Sequence, residues 1–252
     1  MSDFLVVANC KQGGSVAYFS KFIDCLQEQA RSMVSVCQVV LLPQMPYLQM
    51  VVEKSSGVPI VGVQSVCPAY EYQVTGGVTA SMVAEMGAKF VCIGHSERRI
   101  YCSENEKTIA LQYQQTVLHG LTPILCIGET AKERQEGRTL SVLEGQLSGV
   151  FLHEGFDKLP KHDIVVAYEP VWAIGAKQAA RVEDVEEAFL FLHRYLAKQM
   201  AFERQYFCYG GSVDQGNCQQ FYAAQYVSGL LVGRCCLNVE GFMEVVAQCS
   251  GS

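Results

Sequence analysis

Eight short apolar runs, separated by stretches of helical spacing, predict an α/β fold: an eight-stranded parallel (β/α)8 barrel. The runs lie at 4–8 (FLVVA), 37–42 (CQVVLL), 59–64 (PIVGVQ), 90–94 (FVCIG), 122–127 (TPILCI), 164–168 (IVVAY), 206–209 (YFCY) and 229–232 (GLLV). They are apolar throughout rather than alternating, as strands buried on both faces of a parallel sheet must be. A length of 252 residues suits a barrel of that count, read as one domain over 1–252, with no Pro- or Ser-rich linker and no internal repeat.

The intervening segments carry helix signals. Val16, Phe19, Ile23 and Leu26 keep helical spacing behind an N-cap at Ser15. Val182, Val185, Phe189, Leu192 and Leu196 form one stripe, with Glu183, Asp184, Glu186 and Glu187 facing elsewhere. The segment Glu104–His119 ends at Gly120, a residue suited to terminating a helix. Further helices are expected over 44–55, 79–87, 139–152, 213–223 and 237–249. A doubly wound open sheet is the alternative, but its Gly-rich first turn is missing: the chain reads NCKQGG, with Asn9 and Lys11 where glycines would be needed.

Composition narrows the function. A net charge of −6 gives no general affinity for nucleic acid, while leaving room for an anionic substrate in a local positive pocket. No apolar run approaches a membrane span, and MSDFLVVANC has no basic segment before its apolar residues, so neither a membrane anchor nor a signal peptide is expected. Most of the twelve cysteines sit inside apolar runs, which points to buried free thiols in a reducing, cytoplasmic compartment. Zinc is not expected, because paired CxxC clusters are absent.

In such a barrel, chemistry belongs at the C-terminal ends of the strands. Those ends carry Asn9 and Lys11, Gln64, His95, Cys126 and Glu169, then glycine turns at Tyr209–Ser212 and Val232–Arg234. Glu169 is either a general base or a capping, salt-bridged residue; Pro170 and Trp172 beside it favour a stiff, covered loop that raises carboxylate basicity. A lone His95 is commonly a hydrogen-bonded core residue, yet Ser96–Arg99 reads as a helix start, which would keep its ring neutral and able to donate. Lys11 is either a solvated lysine or an inward charge for an anion, with Glu97 as counter-ion. Gly175, Ser212, Gly233 and Arg234 offer backbone N–H groups for a phosphate. The Arg234 side chain is expected to leave the barrel for solvent.

The segments IGHSERR (93–99), LCIGET (125–130), YEPVWAIG (168–175) and YGGSV (209–213) resemble those of the triosephosphate isomerase family, in order and spacing, and the likeness runs from Asn9 to about Leu237. The resemblance implies a TIM barrel of glycolysis and gluconeogenesis that interconverts dihydroxyacetone phosphate and D-glyceraldehyde 3-phosphate through an enediolate. It implies Glu169 as base and neutral His95 as electrophile, aided by Lys11 and Asn9, under a lid spanning about Pro170 to Ala180. It implies no metal or organic cofactor, and a homodimer formed by the loop from Gln64 to Thr79, where Thr75–Gly76 match. Several positions depart from the pattern: Cys10 stands for a tryptophan, Ala176–Lys177–Gln178 for Thr-Gly-Lys, Gly77 for a glutamate and Arg234 for a glycine. An aldolase would need a Schiff-base lysine within a middle strand, and none is found. A silent binding barrel is disfavoured by the intact set Asn9, Lys11, His95 and Glu169.

Overall fold

The computed structural model describes residues 4–32, 37–68, 74–176, 178–199 and 201–250. Eight parallel strands follow one another around a closed barrel: β1 (Phe4–Asn9), β2 (Cys37–Leu42), β3 (Ile60–Val63), β4 (Phe90–Ile93), β5 (Thr122–Ile127), β6 (His162–Tyr168), β7 (Phe202–Tyr209) and β8 (Gly229–Val232). β8 returns to β1 in the register Leu5↔Gly229 to Ala8↔Val232, so the sheet has no free edge. Each predicted run falls on a strand. β6 and β7 start earlier than their predicted runs, because His162 pairs with Phe202 and Asp163 with the Arg204 guanidinium. Polar residues there are solvated, and hydropathy alone stops short of them.

Both faces of the strands are buried, against different partners. Leu5, Val7, Val40, Leu42, Ile124 and Val165 point into the barrel interior beside Cys92, Cys126 and Cys208. Phe4, Val6 and Ala8 alternate with them and pack outward under the helices. That double burial is the physical source of the unbroken apolar runs.

The helices are α1 (Val16–Ser32), α2 (Leu48–Ser55), α3 (Ala80–Glu85), α4 (Ser96–Tyr101), α5 (Glu106–Leu118), α6 (Ala131–Gln135), α7 (Thr139–Phe151), α8 (Val182–Leu196), α9 (Cys218–Tyr222) and α10 (Val239–Gln248). None among the described residues is long and apolar enough to cross a membrane. The Ser15 hydroxyl caps α1 by accepting the Tyr18 N–H at 3.1 Å. Phe19, Ile23 and Leu26 are buried as the stripe requires, whereas Val16 sits exposed on the first turn. Val185, Phe189, Leu192 and Leu196 of α8 are all buried.

Two expectations need correction. The helix predicted over 213–223 is only α9, because the Asp214 carboxylate accepts the Gly216 N–H and Asn217 accepts the Asp214 N–H. These side chains satisfy the backbone as a turn and delay the helix. The short α6 was not expected; it is held by a reciprocal cap in which Thr130 and Glu133 bond each other's backbone N–H.

Where β8 meets β7 and β1 there is no room for a side chain. A Cβ on Gly229 would lie 2.4 Å from Cys208 Sγ and 2.6 Å from the Leu5 carbonyl oxygen. Gly229→Ala should therefore overpack the barrel and lower stability by about 1–3 kcal/mol. Urea unfolding followed by circular dichroism checks this, and an unchanged midpoint would contradict the packing argument.

Candidate functional site

The predicted polar residues gather at the C-terminal mouth of the barrel, around Lys11. Its backbone is left-handed (φ 47°), an uncommon conformation for a side-chain-bearing residue. Three side chains hold it there. Asn9 Oδ1 accepts the Lys11 N–H at 3.1 Å, and the Lys11 carbonyl accepts from Gln44 Nε2 at 2.5 Å and from Gln64 Nε2 at 2.9 Å. Gln44 was not singled out in the sequence, since a glutamine after an apolar strand carries no distinctive signal. The Lys11 ammonium lies 2.5 Å from Glu97 Oε1, the counter-ion expected for it.

His95 precedes α4 and caps it with its own ring: Nδ1 accepts the Glu97 N–H at 3.2 Å. The Glu97 carboxylate is farther, at 3.7 Å from Nδ1. An accepting Nδ1 leaves the ring proton on Nε2, which faces Glu169 Oε1 at 3.4 Å. Asn9, His95 and Glu169 are only 5%, 4% and 3% exposed. His95 Nε2 and Glu169 Oε2 are buried without a hydrogen-bond partner among the described residues. Two desolvated, unsatisfied polar atoms side by side are costly unless a ligand completes them. Below them, Cys126 approaches Cys92 with sulfurs 3.5 Å apart. That neighbouring thiol, then burial, pushes the Cys126 thiol well above its ordinary range, with the Glu169 carboxylate adding to the rise.

Glycines give Glu169 its space. A Cβ on Gly210 would stand 2.5 Å from Glu169 Cγ, and one on Gly128 only 2.0 Å from the Glu169 carbonyl oxygen. Next to it, Trp172 Nε1 donates to Glu129 at 2.8 Å and the Tyr168 hydroxyl donates to the same carboxylate at 3.1 Å. Burial, reinforced by Glu129, holds the Tyr168 hydroxyl above the usual tyrosine range, so it remains a donor. Arg134 stacks 4.5 Å over the Trp172 ring and reaches Asp184 at 2.7 Å. The segment after Glu169 is thus anchored at its start by Glu129, which lies within LCIGET but was given no role of its own there. Its far end is tied by the Tyr209 hydroxyl, accepting the Ala180 N–H at 2.8 Å. Burial pushes that tyrosine up to about 12.

Asn9, Lys11, Glu169, Gly175, Gly233 and Arg234 line one cavity of about 490 Å³. Asn9 and Lys11 also line a second, of about 400 Å³, with His95 and Tyr101. Of the four amides expected to hold a phosphate, those of Gly175, Gly233 and Arg234 make no backbone hydrogen bond among the described residues. Ser212 differs: its N–H donates to the Ala173 carbonyl at 3.1 Å and its hydroxyl to Ala173 and Ala176. It is engaged with the neighbouring loop instead of facing the cavity unpaired. The Arg234 side chain was expected to leave the barrel for solvent. It is exposed, yet it stays on the cavity wall, with Nη2 3.2 Å from where a Cβ on Gly175 would be. Gly175 has φ 66° and lacks the side chain that would stand between them.

The substituted Cys10 is buried, its sulfur 3.9 Å from that of Cys236. Gly77 lies against Cys67, which leaves 2.9 Å from a Cβ to the sulfur. Lys177 and residues 69–73 of the predicted interface loop lie outside the described residues. Among the described residues no three His, Cys, Asp or Glu side chains converge as metal ligands.

Residues 4–249 match the sequence model of the triosephosphate isomerase family. A triosephosphate isomerase of Rhodopirellula baltica is 37% identical over 83% of each chain, and one of Colwellia psychrerythraea is 34% identical over 98% of each. An L-erythrulose-1-phosphate isomerase of Brucella abortus is 32% identical, over 99% of this chain and 98% of its own. With its closed eight-stranded barrel and a match over nearly its whole length, the chain belongs to the triosephosphate isomerase family and is a TIM-barrel isomerase.

Proposed function

We propose that the chain interconverts dihydroxyacetone phosphate and D-glyceraldehyde 3-phosphate. The observation that carries this reading is the buried His95–Glu169 pair, whose unpartnered Nε2 and Oε2 sit beside a cavity containing three unpaired amides. The Glu169 carboxylate takes a proton from the hydroxymethyl carbon next to the carbonyl. The His95 Nε2–H and the Lys11 ammonium stabilise the oxygen where negative charge develops, and Asn9 positions Lys11 and the substrate. Glu169 then returns the proton to the former carbonyl carbon, while the hydroxyl proton passes from the first oxygen to the second by way of His95 Nε2, leaving an aldehyde and a new hydroxyl. The phosphate rests on the amides of Gly175, Gly233 and Arg234, with Ser212 acting through the loop it binds. The segment from Pro170 to Ala180 serves as the lid that keeps water from the enediolate. No metal or organic cofactor takes part.

The relatives named for L-erythrulose 1-phosphate favour a second reading, in which the same proton transfer acts on a four-carbon phosphosugar. A coupled assay comparing kcat/KM for D-glyceraldehyde 3-phosphate and L-erythrulose 1-phosphate separates the two. The triose should be preferred; a reversed preference would replace the first reading with the second.

The proposal extends to one domain over residues 1–252, a cytoplasmic location and a homodimer working in glycolysis and gluconeogenesis. All twelve cysteines are free thiols, which supports a reducing compartment. Tyr101, at 80% exposure, and Val74, at 51%, are apolar surface beside the second cavity and on the loop assigned to the partner.

Three measurements test these assignments. Glu169→Asp retracts the carboxylate by about one C–C bond and should lower kcat on the order of 10²-fold with the fold intact. Wild-type turnover in that variant would remove Glu169 as the base. Gly210→Ala should push the same side chain out of line and lower kcat/KM by about tenfold or more, while circular dichroism stays native. Light scattering at micromolar concentration should report a dimer; a fully active monomer would end the claim that a partner loop completes the site.

A further inference from the structure

Arg234 replaces a glycine of the family's last phosphate turn without straining the backbone. Gly233 has φ −92°, and Arg234 opens a 3₁₀ turn, Arg234–Leu237, outside the left-handed region. The side chain is therefore free to serve a purpose of its own, and its surroundings indicate one.

Four charged residues line the larger cavity: Lys11, Glu169, Asp214 and Arg234. Lys11 is already paired, 2.5 Å from Glu97. Glu169 and Asp214 are acidic, so among the described residues the wall offers little positive charge to an anion apart from Arg234. Arg234 has no carboxylate within ion-pair distance among the described residues, although Asp214 lines the same cavity. Its Nη2 lies 3.2 Å from where a Cβ on Gly175 would stand, and the Gly175 and Arg234 amides make no backbone hydrogen bond among the described residues. An unpaired, planar cation with five donors, held at the mouth of an amide cradle, matches a tetrahedral dianion.

Resting on the reading that the cavity takes a phosphorylated sugar, we propose that the Arg234 side chain is itself a phosphate ligand. It joins lid and cradle around the dianion and sets the affinity of the site for charge. A glycine at this position supplies an amide alone. Here the guanidinium adds a charge-assisted contact from the side on which Gly175 is bare. The substituted residue thus changes how strongly the phosphate is gripped and leaves the proton-transferring groups untouched.

The test uses the full chain and inorganic phosphate as the probe. Arg234→Ala and Arg234→Gln should weaken phosphate binding by about tenfold or more in calorimetric titration, the loss of one charged hydrogen-bonding contact. Arg234→Lys should recover part of the loss. With triose phosphate, the same variants should raise KM by a similar factor and keep kcat within about twofold, the signature of lost uniform binding. The position is exposed, and circular dichroism verifies the fold of each variant. Phosphate affinity in Arg234→Ala within about twofold of the parent would overturn the proposal, whether or not the chain isomerises trioses. If the parent failed to isomerise trioses but bound phosphate in an Arg234-dependent way, the assigned reaction would fall and this inference would stand.

Discussion

The first turn of α4 holds the site together, and Glu97 is the residue through which it does so. Its amide hydrogen is accepted by His95 Nδ1, and its carboxylate receives the Lys11 ammonium. One residue thereby fixes which imidazole nitrogen carries the proton and where the cation stands. The ion pair is partly exposed, with side chains 30% and 43% accessible, so its worth to stability is small. Its value is positional. The helix in turn relies on β4, a fully apolar strand end that delivers His95 to the mouth with no freedom of register.

The loops after β6 and β7 are coupled by competition for one set of hydrogen bonds. The Ser212 amide and hydroxyl both serve carbonyls of the Ala173–Ala176 stretch, and the Tyr209 hydroxyl takes the Ala180 N–H. A single N–H cannot satisfy that carbonyl and a phosphate oxygen together. Any use of Ser212 by a ligand therefore requires the loop after Glu169 to shift. Glu129 resists at the other end by holding Trp172 and Tyr168, so movement must be absorbed between Ala173 and Ala180. Gly175, at positive φ, lies within that span.

How much of this was legible in the sequence follows from what each part depends on. The eight strands could be read because double burial forces an apolar residue at nearly every position, and only the solvated starts of β6 and β7 escaped. The gathering of Asn9, Lys11, His95 and Glu169 at one mouth could be read because the barrel brings the ends of its apolar strands together there, whatever each side chain does. Gln44, Gln64's grip on the Lys11 carbonyl, and Glu129 could not be read in their roles. Their importance lies in partners distant in the chain, and a glutamine or glutamate outside a strand looks the same whether buried or solvated. The Asp214 turn was misread as helix because apolar spacing continues through it while side chains take over the backbone bonds. Arg234 was legible in part, since its side chain is exposed as expected. That it stays beside Gly175 depends on a residue fifty-nine positions earlier in the chain lacking a side chain, which local sequence does not reveal.

The candidate site is divided by chain segment. Proton-transfer candidates stand on β1, β4 and β6, whose ends are locked by the barrel's own ladder. The groups assigned to the phosphate in the proposed reading stand on the turns after β6, β7 and β8, outside the ladder. A substitution on the first set moves a group within a packed core and disturbs the reaction geometry. A substitution on the second, as at Arg234, alters charge and reach at the rim with no cost to the fold. L-erythrulose 1-phosphate keeps the triose's spacing from phosphate to carbonyl and adds its carbon beyond the reacting end, so on the proposed reading the choice between the two sugars falls to the wall around His95 and Tyr101 and not to the phosphate turns.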